Sequence, residues 1–293
     1  MKKLIDVHHH VFPPGFKAHT WNIKDDQEAM ERLGIDGVLL SCPLPVTSGN
    51  VREINEFMAE NSLRDPERYG VLASIPFDDV DNALAEIEYA QDVLKADGFA
   101  VPSNNNSIYI SDDRLNPVFE ELNRRKAVIF LHPSPKRAEG YMRKMPGCDD
   151  SVYEYVFETT RAIMDFIYQG KMLKTPDIKW ITAHAGGTIP YLAHRLSYAS
   201  EWHAVRMTRE EILPQIKSLY YDLALSDEND IYTILKSFAG ASHIVFGTDY
   251  PPSREAFIAR SIKGLADFKG FSEEEKQRIH SGNICELFPR FQN

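Results

Sequence analysis

The chain has 293 residues, of which 43% are hydrophobic and 26% are charged, and its formal net charge is −10 at pH 7. This length and composition suit a globular protein with a large core, and we expect one domain over residues 1–293. The acidic balance argues against nucleic acid or an anionic membrane as a partner, because either would favour a basic surface.

No apolar run is long enough to cross a bilayer, and no signal-peptide core follows Lys2 and Lys3. The three cysteines, Cys42, Cys148 and Cys285, are widely separated and have no paired spacing. That spacing is typical of free thiols in a reducing compartment and argues against a thiolate zinc site. A cytoplasmic location is therefore expected.

Short β-branched runs alternate with longer segments of helical periodicity, which is typical of βαβ units and a parallel sheet. Eight runs predict strands: Lys3–Val7, Gly37–Ser41, Gly70–Ile75, Gly98–Val101, Val128–Leu131, Ile178–Ala183, Leu219–Leu223 and His243–Gly247. The segments between and after them predict helices: Asp25–Leu33, Val51–Ser62, Val80–Ala96, Asn116–Lys126, Val152–Leu173, Tyr191–Tyr198, Thr208–Ile216, Glu228–Ala239, Ser253–Asp267, Glu273–His280 and Ile284–Phe288. Eight such units predict the α/β class and a (β/α)₈, or TIM, barrel.

Two polar segments are predicted to be loops. Ser103–Ser107 follows the fourth strand and precedes renewed apolar periodicity, so it is not a linker. Lys136–Asp150 is rich in Pro, Gly and basic residues and follows the fifth strand. A long loop on that side of a barrel is a candidate lid.

The first predicted strand leads into His8, His9 and His10. Side chains alternate along a strand, so His8 and His10 are predicted to point together into the barrel mouth, while His9 points away. Two imidazoles at this spacing can hold one ion. For this motif alone, a pair of hydrogen-bonded or surface histidines is an equally good explanation.

Three later strand ends carry further residues of metal-ligand types, namely His132, His184 and Asp249. Separately, His132 suits a core position, and Asp249 could cap the helix that begins near Ser253. Gly186 and Gly187 follow His184 and let the backbone approach a ligand closely. Because all strand C-termini of a barrel open onto one face, these residues together predict a catalytic metal site with an open coordination position.

The order and spacing of these motifs resemble the amidohydrolase superfamily over essentially the whole chain. The motifs are Asp6-Val7-His8-His9-His10, Phe130-Leu131-His132-Pro133, Glu158-Thr159-Thr160, Ala183-His184-Ala185-Gly186-Gly187, Arg195, Gly247-Thr248-Asp249-Tyr250-Pro251 and Gly282-Asn283. Within the superfamily, the chain resembles the branch of single-metal enzymes that includes aminocarboxymuconate-semialdehyde decarboxylase.

The resemblance implies one divalent ion, zinc ahead of manganese, iron or cobalt, with the ligands His8, His10, His132 and Asp249. His132 stands where binuclear members carry a carbamylated lysine, which favours one metal over two. The resemblance also implies that His184 stays off the metal, hydrogen-bonds a metal-bound water and acts as acid or base. Arg195 would bind a substrate carboxylate across a subunit interface, which implies a homodimer.

The first loop departs from that decarboxylase, because only Val11 to Lys24 separates the first strand from the first helix. The second carboxylate-binding arginine of that enzyme has no clear counterpart in this short segment. The loop instead carries Phe12, Phe16, His19 and Trp21. They would line an aromatic-edged pocket for a smaller, flatter acid or lactone, or pack against the barrel rim.

The fold and the predicted metal site do not determine which reaction the protein catalyses. The first interpretation is a metal-dependent carboxy-lyase acting on a small unsaturated or aromatic carboxylic acid, with a metal-bound water and His184 as acid and base. The alternative is a metal-dependent hydrolase of a lactone, ester or amide. A third is a non-catalytic binding protein that retains the fold, and the complete ligand set together with His184 argues against it.

Overall fold

The computed structural model describes residues 3–15, 21–43, 46–134, 146–202 and 205–292. Eight parallel strands pair with one another in chain order. They are β1 (Ile5–His10), β2 (Gly37–Ser41), β3 (Tyr69–Ser74), β4 (Gly98–Pro102), β5 (Val128–His132), β6 (Lys179–Thr182), β7 (Tyr220–Asp222) and β8 (Ile244–Val245). Hydrogen bonds from Val7 N–H to Phe246 O and from Asp249 N–H to His8 O join β1 to the segment after β8. The predicted TIM barrel is confirmed.

Helices flank the barrel in the connections between strands and in the C-terminal segment. They are α1 (Ile23–Leu33), α2 (Val51–Ser62), α3 (Val80–Glu88), α4 (Asn116–Arg124), α5 (Asp150–Tyr168), α6 (Lys171–Lys174), α7 (Ile189–Ser197), α8 (Ala199–Trp202), α9 (Arg209–Lys217), α10 (Asn229–Phe238), α11 (Glu255–Asp267), α12 (Glu273–Gln277) and α13 (Asn283–Leu287). Within the described ranges, no helix combines the length and the apolar character needed to cross a bilayer.

The first and last strands differ from their predicted bounds. β1 extends to His10, because His9 and His10 pair with Leu40 and Ser41 of β2. The histidines are therefore strand residues and do not follow the strand. β8 ends at Val245, because the next N–H, that of Phe246, donates to Ile279 O outside the sheet.

Three predicted connections also differ. The helix predicted over Val80–Ala96 changes to a π-helical turn at Tyr89–Val93. The helix predicted over Val152–Leu173 is divided at Gly170, whose φ is +70°. The Ser103–Ser107 prediction is wrong in part, since Asn104–Asn105 pairs antiparallel with Ile108–Tyr109. Of the candidate lid Lys136–Asp150, residues up to 145 lie outside the described ranges.

The barrel interior is closed at one end by the C-terminal segment. Phe288 and Phe291 belong to the same buried cluster as Val7 and Phe130 from the strands. Gly37, which starts β2, makes this packing possible, because a Cβ there would lie 2.9 Å from the ring of Phe291. Among the described residues, this packing leaves the end with the strand C-termini, where the histidines lie, as the open end of the barrel.

Candidate metal centre

β1 places two of its three histidines inside the barrel mouth. The Nε2 atoms of His8 and His10 lie 3.0 Å apart, and both side chains are buried. The His9 ring turns to the other side of the strand, where its two nitrogens contact Asp6 and Asp26. The predicted alternation along β1 is confirmed.

His132 and Asp249 meet these two histidines from β5 and from the segment after β8. The rings of His8 and His10 lie 5.2 and 4.8 Å from that of His132, centroid to centroid. Asp249 Oδ1 lies 3.3 Å from His8 Nε2 and 3.1 Å from His10 Nε2. One ligand atom from each of the four residues falls within 4.8 Å of all the others.

This donor set fits a divalent cation. Ligand atoms around tetrahedral zinc are separated by about 3.3 Å, given zinc–nitrogen bonds of about 2.0–2.1 Å. The contacts among His8, His10 and Asp249 lie near that value. Three imidazoles and one carboxylate also suit manganese, iron or cobalt, so the arrangement supports a divalent metal without selecting the element.

The charge states of the ligand atoms suit metal binding. Burial lowers the pKa of His132 well below its usual value, and the neighbouring His10 and His8 lower it further. Burial also lowers the pKa of His10. Burial opposes ionisation of Asp249, but the surrounding histidines outweigh it and hold the pKa of this carboxyl well below its usual range. His132 and His10 therefore offer neutral imidazoles and Asp249 an anionic oxygen, which are the forms that ligate.

His8 differs because it has two acidic neighbours. Burial opposes its charge, but Asp222 and Asp249 together raise the pKa of His8 to about 10 in the metal-free protein. A cation at the four ligand atoms would replace that proton, since only the neutral ring can ligate.

Two residues that the sequence analysis did not select support the ligand rings from behind. Asp222 Oδ2 lies 2.6 Å from His8 Nδ1, and Ser41 Oγ lies 3.0 Å from His10 Nδ1. Such outer contacts fix the tautomer and orientation of a ligating imidazole. Ser41 ends one predicted strand and Asp222 is the last residue but one of another, so both lie near the strand ends from which His132 was selected.

His9 belongs to a separate buried network. It bridges Asp6 (2.9 Å) and Asp26 (2.8 Å). Burial alone would lower its pKa, but the two carboxylates raise it to about 10, with Asp26 contributing most. Asp6 also accepts hydrogen bonds from the hydroxyl and backbone N–H of Thr248, at 2.6 and 3.0 Å. This network joins β1 to α1 and to the segment that carries Asp249.

His184 lies beside the four ligand residues, in the turn after β6. Its Nε2 atom is 3.6 Å from Asp249 Oδ2, whereas His8 and His10 face Oδ1 of that carboxylate. His184 and Ala185 both have a φ of +55°, a conformation that is uncommon for residues other than glycine. The His184 N–H donates to Asp222 Oδ1 at 2.7 Å, which stabilises the turn.

Gly187 permits a close approach between the turn after β6 and α5, whereas the predicted approach of this backbone to a ligand stays a prediction. A Cβ on Gly187 would lie 2.1 Å from Val156 O of α5, and the residue has a φ of +67°. Any larger residue would push α5 away from the turn that carries His184.

A pocket of about 420 Å³ leads from the surface to these side chains. It is lined by His10, Phe12, Pro43, His132, Ser151, Tyr155, His184, Leu225, Asp249, Pro252, Ser253 and Phe257. Carbon-rich side chains dominate the lining, and none of these residues is Lys or Arg. The Tyr155 hydroxyl has no hydrogen-bond partner among the described residues, and burial raises its pKa to about 12. It is therefore a neutral donor available to a ligand.

The remaining predicted site residues have different outcomes. Phe12 lines the pocket, whereas Trp21 donates to Asp26 and packs against Phe57, as the rim-packing alternative expected. Phe16 and His19 lie outside the described residues. Arg195 is exposed on α7 and does not line the pocket of its own chain. Asp249 does not cap α11, whose N-cap residue is Arg254.

The chain belongs to the amidohydrolase family, whose model matches residues 5–290. It is 31% identical to the 6-methylsalicylic acid decarboxylase of Penicillium expansum, over 98% of this chain and 96% of that protein. It is 26% identical to the 2-amino-3-carboxymuconate-6-semialdehyde decarboxylase of Dictyostelium discoideum, over 80% of this chain and 65% of that protein. The predicted resemblance is confirmed.

Among solved structures, the chain is similar to the dihydroxybenzoic acid decarboxylase of Polaromonas sp. JS666. The TM-score is 0.83 at 20% identity, and the match covers 100% of this chain and 98% of that one. The Polaromonas crystal contains manganese and the inhibitor 2-nitroresorcinol. The sequence relatives confirm the interpretation of this chain as a carboxy-lyase of the amidohydrolase superfamily.

Proposed function

We propose that this carboxy-lyase decarboxylates a small aromatic acid that carries a hydroxyl beside the carboxylate. One divalent cation is held by His8, His10, His132 and Asp249, and His184 handles the proton. The observation that carries the proposal is an apolar pocket of about 420 Å³ that ends on four convergent ligand atoms.

The pocket lining supports an aromatic substrate. Phe12, Pro43, Pro252 and Phe257 offer flat apolar surfaces, and pockets for small organic ligands combine such surfaces with a few convergent polar groups. The relative from Penicillium expansum is named for 6-methylsalicylic acid, which has this chemistry.

When bound, the cation would polarise the substrate oxygens nearest to it. His184, whose Nε2 atom lies 3.6 Å from Asp249 Oδ2, would supply the proton. Transfer of that proton to the ring carbon that bears the carboxylate allows the bond between ring and carboxylate to break. The electron pair of that bond returns to the ring and restores its aromaticity. Carbon dioxide leaves, and one proton is consumed for each molecule released.

Zinc is the element we propose, because three imidazoles and one carboxylate at tetrahedral spacing form a set that zinc commonly takes. Asp249 contributes twice in this scheme. Its Oδ1 atom completes the ligand set, and its Oδ2 atom orients His184.

We also propose that the chain works as a homodimer in which Arg195 reaches the neighbouring pocket. The described pocket lining contains no guanidinium or ammonium group, and Arg195 is exposed on α7. Tyr191 on the same helix is 81% exposed, and Trp202, which lies 5.6 Å from the Arg195 guanidinium, is 61% exposed. Large exposed aromatic side chains beside an arginine are typical of an interface.

The test is carbon dioxide release from a panel of 2-hydroxybenzoates, dicarboxylic acids, lactones and amides, assayed with zinc- and manganese-loaded protein. We expect release from the 2-hydroxybenzoates and no hydrolysis of the neutral compounds. Turnover of the dicarboxylic acids alone would contradict the aromatic substrate, and hydrolysis without carbon dioxide release would contradict the reaction.

A further inference from the structure

Leu225 has an unusual backbone conformation at the mouth of the pocket. It lies in the turn after β7, where Ser226 N–H donates to Leu223 O at 3.1 Å. Its φ is +52°, in the region that turns of this kind normally fill with Gly or Asn. A leucine in this conformation is sterically destabilised, because its Cβ lies too close to the following carbonyl oxygen. Even so, its side chain is 53% exposed, so it gains little from burial in the core.

The same turn is tied to the metal centre. Ala224 N–H donates to Asp222 Oδ1 at 3.2 Å, and the other oxygen of Asp222 contacts His8 Nδ1. One buried carboxylate therefore fixes both a ligand ring and the turn that carries Leu225. The backbone at Leu225 is therefore held in a defined position relative to the metal ligands.

Phe257 faces the same pocket from α11 and is 44% exposed. Arg260, on the same helix, pairs with Asp227 at 3.0 and 3.3 Å, and its guanidinium lies 5.4 Å from the Phe257 ring centroid. Asp227 is two residues after Leu225. The ion pair therefore connects the Leu225 loop to the helix that carries Phe257, and the two apolar side chains both line the pocket.

We propose that Leu225 is a specificity-determining residue, whose contact with an alkyl substituent on the aromatic ring selects alkylated acids over unsubstituted ones. This inference rests on the proposed function and adds the feature of the substrate that the site discriminates. Residues in costly backbone conformations cluster at functional sites, where the side chain or geometry they provide is needed. An apolar wall beside a metal centre favours a ring substituent that would otherwise remain in water.

The test compares Leu225→Gly with wild type on 2-hydroxybenzoate and its 6-methyl derivative. One methyl group in an apolar pocket changes kcat/KM by about tenfold or more, so wild type should prefer the methylated acid by about that factor. Leu225→Gly should lose most of this preference through slower turnover of the methylated acid alone. Its Tm should stay at or above the wild-type value, because glycine adopts the positive φ without steric cost.

Lys126→Gly is the matched control. Lys126 has a φ of +53° and is exposed at the end of α4, outside the pocket lining. This variant makes the same backbone change and should leave the preference intact.

An unchanged preference in Leu225→Gly, or an equal loss on both acids, would overturn the role of Leu225 while leaving the proposed function in place. If wild type turns over neither acid yet decarboxylates another class, the proposed function fails, and the selectivity proposal fails with it.

Discussion

Asp222 contacts both His8 and His184, with one oxygen for each. Its Oδ2 atom lies 2.6 Å from the Nδ1 atom of His8, and its Oδ1 atom accepts the backbone N–H of His184 at 2.7 Å. The carboxylate is completely buried. A single side chain therefore orients a candidate metal ligand and the candidate acid and base, and it couples their positions.

We expect Asp222→Asn to weaken metal binding by about 10–100-fold, the usual effect of removing an outer carboxylate from a ligating histidine. Competition with a chelator measures this change. Asp97→Asn is the control, because Asp97 pairs with Arg290 near the closed end of the barrel. Equal metal affinity in Asp222→Asn and wild type would show that the His8 ring is held by other contacts.

Metal content tests the ligand assignment. Protein purified without added metal should carry about one divalent ion per chain, and His132→Ala should lose most of it, because a first-row ion would then keep only three protein ligands. His243→Ala is the control, since that ring packs against Tyr220 and is not in the ligand cluster. Elemental analysis giving two ions per chain, or full occupancy in His132→Ala, would contradict the assignment.

The barrel and the cluster of candidate metal ligands could be predicted from sequence because both depend on local patterns. Strand periodicity located all eight strands, and metal-ligand residue types at strand ends located His8, His10, His132 and Asp249. The hairpin at Asn104–Asn105 was missed because its pairing depends on tertiary contacts, including the hydrogen bond from the Asn104 amide to Glu158 of α5.

Asp222 and Leu225 show what sequence patterns leave out. Asp222 lies one residue before the end of the predicted strand Leu219–Leu223, and an acidic residue at such a position has many ordinary roles. Its function becomes visible only through His8, which is 214 positions away. The positive φ of Leu225 has no sequence signal, since a leucine in a loop normally predicts φ below zero.

His184→Ala should keep the metal and lose activity by about 10²-fold or more, the usual contribution of a general acid or base. The reason is that His184 Nε2 faces Asp249 Oδ2, on the side away from the shared ligand atom Oδ1. Activity and metal content should be measured on the same preparation. Loss of both together would place His184 among the ligands.

Tyr155→Phe should reduce kcat/KM by about tenfold or less, because it removes one neutral hydrogen bond. The pKa of Tyr155 is raised to about 12, so the hydroxyl keeps its proton throughout the working range. The pH profile of the variant should then have the wild-type shape at a lower rate. A lost alkaline limb in Tyr155→Phe would instead mean that this phenol titrates during turnover.

Arg195 provides a test that separates action in one chain from action across an interface. We expect Arg195→Ala to lower kcat/KM by about 10–100-fold, as for a lost hydrogen bond to a charged group. If Arg195 serves the neighbouring pocket, a mixed dimer of Arg195→Ala and His184→Ala chains contains one complete site. Such dimers, isolated through a different affinity tag on each chain, should regain about half of the wild-type activity. Mixed dimers as inactive as the parents would mean that Arg195 acts in its own chain, and monomers alone in light scattering would remove the shared site altogether.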